Sequence, residues 1–125
     1  MSQTNSLPSA NAHFITLDAA IDLTTNLRAG RESILDSGYR NQDVIPCSET
    51  FNRNAFDTLL AKQDCAGIRL YYGMDENYKL HAVFVAVNDD NEDLLPATST
   101  RESTDIVEEG QRCPDLCPPP SSLNN

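Results

Sequence analysis

The chain has 125 residues, 39% of them hydrophobic, and a formal net charge of −10 at pH 7. That length suits one domain with a modest core and argues against a large internal ligand cavity. The sign of the charge argues against binding nucleic acid through its phosphates, or adhering to anionic membranes, since both need clustered Lys and Arg.

The charge is unevenly spread. Met1 to Val87 carries ten acids against seven bases, whereas Asn88 to Glu109 carries eight acids against Arg101 alone. The first twelve residues (MSQTNSLPSANA) and the stretch from Gly110 (GQRCPDLCPPPSSLNN) are polar and rich in Pro, Ser and Asn. Such segments bury too little apolar surface to offset chain entropy. The expected organisation is therefore a disordered N-terminus over 1–12, a single domain over 13–95, and an acidic, then Cys/Pro-rich tail over 96–125.

In chain order, Thr16 is an N-cap candidate, with Asp18 placed to suit the helix dipole. Leu17, Ala20, Ile21, Thr24, Leu27 and Arg28 recur at three-four spacing, which predicts an amphipathic helix from Leu17 to Arg28. Gly30 either stops it or is absorbed, the helix then running on to Leu35. Asp36 to Glu49 reads as a connector containing the breaker Pro46. Ser48 or Thr50 offers a cap for a second helix, Phe51 to Ala61, with Phe51, Ala55, Phe56, Leu59 and Leu60 as its apolar stripe.

AGIRLYYG, Ala66 to Gly73, predicts a strand with Ile68, Leu70 and Tyr72 on one face and Arg69 and Tyr71 on the other. Asp75, Glu76 and Asn77 form a turn. Lys79 to Val87 is the returning strand, apolar on both faces in its C-terminal half, as an inner strand is. The predicted fold class is α+β: N-terminal helices packed on a small antiparallel sheet built around the hairpin at 66–87. An isolated hairpin is marginal in water, so a third strand is required. Its candidate sources are Asp43 to Cys47, the Ile106–Val107 pair, or a second chain.

No constellation assigns a catalytic residue. Cys47 and Cys65 are candidate nucleophiles with His13 and His81 as bases, but Asp64 beside Cys65 raises a thiol pKa and no helix N-terminus activates it. Asp89, Asn91 and Asp93 have the alternation of a calcium loop, but the expected Gly is Leu94 and the expected Glu is Thr100. Cys113 and Cys117, with three residues between them, are the candidate metal ligands, with zinc the ion they would take. The same pair forms a disulfide if the chain turns there. Arg69, Tyr71 and His81 make a candidate interaction face. No basic n-region precedes an apolar stretch at the N-terminus, and the longest apolar run, Ala82 to Val87, is too short to span a bilayer, so a cytoplasmic location is expected.

The run Ile45-Pro-Cys-Ser-Glu49, then Phe51 with Phe56-Asp-Thr-Leu-Leu60, then Cys65-Ala-Gly-Ile-Arg-Leu-Tyr-Tyr-Gly73, resembles a group of short uncharacterised bacterial proteins of the Bacteroidetes type. Some of these share a Cys-Pro-rich tail like Cys113 to Pro120. The resemblance implies a bacterial cytoplasmic protein and transfers no catalytic residue. The expected function is a non-enzymatic interaction or structural module that self-associates or binds a protein partner. A metal- or redox-responsive protein using the tail cysteines is the alternative, and a small thiol enzyme a third reading.

Overall fold

The structure, a computed structural model, describes residues 6–96 and 105–124. It is α+β with antiparallel sheets, as the patterning predicts. After a short 3-10 turn at Ala10–His13, helix α1 spans Leu17–Gly30. Thr16 caps it, its hydroxyl accepting from the Ala19 amide at 3.1 Å. Gly30 is its last residue, and the Arg31 amide closes the end on Leu27 O at 2.8 Å.

Strand β1, Ser48–Thr50, comes next, and helix α2 spans Arg53–Leu60. This shortens the predicted second helix and moves its cap. Asn52 does the capping, its side-chain oxygen accepting from Asn54 N at 2.8 Å, because Ser48 and Thr50 are held extended by pairing with a distant strand. Strands β2 (Gly67–Met74) and β3 (Leu80–Val87) form the hairpin. Two further strands follow, β4 (Ile106–Val107) and β5 (Gln111–Cys113).

The sheets are β2-β3-β4 and β1-β5. The missing third strand is thus supplied by Ile106–Val107, which meets Phe84 and Val85 of β3. The predicted limit of the domain at residue 95 is exceeded, since residues 106–107 and 111–113 belong to the sheets. The apolar pair Ile106–Val107 of the acidic stretch lies along the second edge of β3, and Gln111–Cys113 lies along β1. Of the predicted N-terminal disorder, Met1–Asn5 lie outside the described residues, as does the linker stretch 97–104.

In the hairpin register Leu70 faces Phe84 and Tyr72 faces Ala82. Helix α2 covers the Phe84 part of this face. Phe84 meets Phe51 and Phe56 edge to face, with centroids 5.2 and 4.9 Å away, a geometry aromatic pairs prefer. Leu59, Val85, Ala86, Val87 and Val44 are the buried apolar residues. Helix α2 packs on β2, β3 and β4, whereas α1 has no buried residue and makes no comparable packing with any element among the described residues. Arg31 ties the end of α1 down through Ile45 O at 2.7 Å.

Candidate functional site

The other hairpin face carries Arg69 opposite Val85, Tyr71 opposite Val83, and Gly73 opposite His81. The three proposed interaction residues therefore share a face, but their side chains are engaged within the chain. Arg69 and Tyr71 both bond Asp93, from the loop after β3, and Arg69 also reaches Asn91 O at 2.9 Å. Desolvation works against the Arg69 charge, yet the Asp93 hydrogen bond and charge, with Tyr71, outweigh it and raise its pKa. The same loop is not built for calcium. Asn88 Oδ1 accepts the amides of Asp90 and Glu92, and Asp93 is turned to Arg69.

His81 lies at the far end of this face. Its Nε2 is 2.8 Å from Asp75 Oδ2 in the hairpin turn, and its Nδ1 is 3.2 Å from Glu108 Oε1 just past β4. Asp75 is held below the usual carboxylate range, at about 2, first by the His81 hydrogen bond and then by the Lys79 amide, with Asn77 N adding to them. The third group is Glu49 of β1, whose side chain is only 8% exposed. Its Oε2 accepts from the Ala82 amide at 2.9 Å. Its Oε1 is buried and has no hydrogen-bond partner among the described residues. Arg112 of β5, directly opposite Glu49, stands 3.7 Å from that oxygen, beyond hydrogen-bond reach, and is fastened instead to Leu80 O and Asp43 O. One ligand-capable atom each of Glu49, His81 and Glu108 lies within 4.8 Å of the others.

Cys47 lines the same cleft as Glu49 and His81, but no cysteine is among the three ligand-capable groups. Cys113 and Cys117 are bonded to each other, which occupies the thiolates that a zinc ion at that pair would need. Cys47 and Cys65 are free and half-buried. Cys65 precedes Gly67 at one end of the hairpin and His81 faces Gly73 at the other, roughly 20 Å away at about 3.3 Å per residue, so the thiol–imidazole pair weighed from the sequence is not assembled. His13 is exposed in the N-terminal turn. Sequence reasoning missed Glu49, Asp75 and Glu108. The only local signal was the Asp at the head of the hairpin turn, six residues before His81.

A second feature is the outer edge of the sheet. Strand β2 pairs with β3 on one side and with no described strand on the other. Leu70, Tyr72 and Met74 along it are 38%, 83% and 61% exposed. Between this strand, Leu27 of α1 and the β1–α2 segment lies an open cleft of about 810 Å³, floored by Phe51, Phe56 and Phe84. Among the described residues no helix is long and apolar enough to cross a membrane. No protein family, curated protein or solved structure matches the chain.

Proposed function

We propose that this protein is a non-enzymatic interaction module that self-associates along β2. The observation that carries the reading is the strand itself. It is eight residues long and pairs with no described strand on its outer side, although Leu7 of the N-terminal segment lies beside its first residue, Gly67. It contains no Pro and no Lys, and its one charged residue, Arg69, is held by Asp93. An antiparallel β2–β2 pairing between two copies would extend a three-stranded sheet to six strands and cover Tyr72 and Met74.

The partner is a protein rather than a nucleic acid, because a chain of −10 repels phosphates. That same charge opposes self-association at long range, so pairing strengthens as salt rises. The compartment decides the state of the tail: an oxidising one keeps the Cys113–Cys117 bond, and the cytoplasm expected from the sequence opens it.

Gel filtration with light scattering over a concentration and salt series tests the reading. The expected result is a dimer that becomes a monomer in Tyr72→Lys, a change at an exposed side chain that leaves the fold intact. A chain that stays monomeric throughout and retains no partner protein overturns it.

A further inference from the structure

We propose that Glu49, His81 and Glu108 form a binding site for a single divalent transition-metal ion of the zinc type. Three elements distant in sequence converge here: β1 brings Glu49, β3 brings His81, and the turn after β4 brings Glu108. Their candidate ligand atoms lie within 4.8 Å of one another, a spacing one ion can bridge after small side-chain adjustments.

Glu49 is the observation that points to a ligand. A carboxylate buried to this degree is costly unless its oxygens are satisfied. The Ala82 amide satisfies Oε2, and no described residue donates to Oε1. Protonated His81 would bridge Asp75 and Glu108 and still leave Glu49 Oε1 without a donor. A cation bound by Glu49, His81 and Glu108 together would supply that missing partner.

The surroundings match what a metal-bound histidine requires. A ligating imidazole commonly donates its second N–H to a carboxylate, which fixes its tautomer and orientation. Asp75 stands in that place, 2.8 Å from Nε2, and its own orientation is set by the Lys79 and Asn77 amides at 3.1 and 2.8 Å. Nδ1 is then the lone-pair donor. Charge also balances: Glu49, Glu108 and Asp75 against Arg112 leave two negative charges beside a neutral His81, which a divalent ion neutralises.

The donor set selects the ion. One imidazole with two carboxylates suits zinc and its first-row neighbours, whereas calcium and magnesium take all-oxygen sites. Three protein ligands leave a fourth position for water, and the partly exposed His81 and Glu108 give an entry path.

The test uses the full chain with its disulfide intact, stripped with chelator and titrated with zinc chloride by calorimetry. One equivalent is expected to bind. His81→Asn and Glu49→Gln should each weaken binding at least about tenfold, and excess calcium or magnesium chloride should not compete. Cobalt chloride gives a second readout that needs no variant. His81 is one of only two histidines, so its imidazole resonances should shift paramagnetically while those of His13 do not. The cobalt spectrum should lack the thiolate charge-transfer band that Cys47 or Cys65 would produce. Zinc binding abolished by Cys47→Ser or Cys65→Ser, unshifted His81 resonances, or wild-type affinity in folded His81→Asn would each overturn the proposal.

Discussion

Asp75 shows how one side chain settles a turn. It heads the β2–β3 connection, where Tyr78 takes a positive φ of 65° and the chain must reverse. Its carboxylate accepts the amides of Asn77 and Lys79 and faces His81. Each of these contacts favours the charged form, so its folded pKa falls to about 2 from an ordinary 3.8. A depressed acid stabilises the fold above its unfolded pKa, and that contribution fades as pH falls through the folded value. The turn is therefore expected to hold at full strength above about pH 4 and to loosen as pH drops toward 2. Carbon-detected NMR of the chelator-treated protein should show Asp75 titrating near 2. His81→Phe should return it toward the ordinary range, and an ordinary titration in the unaltered chain would show that these contacts do not form.

Among the elements, Gly110 decides whether β4 can run on into β5. A Cβ there would lie 2.5 Å from the Phe51 ring, closer than real atoms come, and the ring is wedged edge to face against Phe56 and Phe84. The glycine allows close approach, and Gly110→Ala is expected to cost about 1–3 kcal/mol by forcing the aromatic cluster apart. Urea unfolding of the variant checks it, and an unchanged midpoint would mean the ring gives way freely. The elements divide sharply in how far they could be read from local pattern. The hairpin shows as two runs rich in β-branched and aromatic residues around a polar turn, and α1 announces itself through Thr16 and its three-four spacing. Strands β1 and β5 are three residues each and contain Glu49 and Arg112 rather than an apolar alternation, so nothing local marks them as strands. They exist because they pair with each other across most of the chain. Glu108 was equally illegible, being one acid in an acidic run. Only the docking of β4 on β3 turns it toward His81, and only the β1–β5 pairing sinks Glu49 beside them.

At the scale of the molecule, packing among the described residues joins the hairpin, α2 and the late strands, while α1 makes no comparable contact with them. Arg112 alone links Leu80, Asp43 and Glu49, and Cys47 N bonds Cys113 O at 2.8 Å. Stopping the chain after residue 96 removes these bonds along with β4. The expected loss is about 2 kcal/mol or more, a fall in the thermal midpoint of roughly 10 °C or more at 4–8 °C per kcal/mol. Removing residues up to Gly30 should lower it far less. Near-UV circular dichroism melts of both shortened chains decide the matter, and equal losses would show that α1 belongs to the cooperative unit. The β1–β5 pairing also has a consequence in time. Ser48 is paired with Cys113, so at synthesis speeds of about 5–20 residues per second β1 waits on the order of 3–13 s for its partner to be made. Until then Glu49 has neither Arg112 opposite it nor Glu108 nearby, and the cluster around His81 is assembled last, only after the hairpin has stood complete on the growing chain.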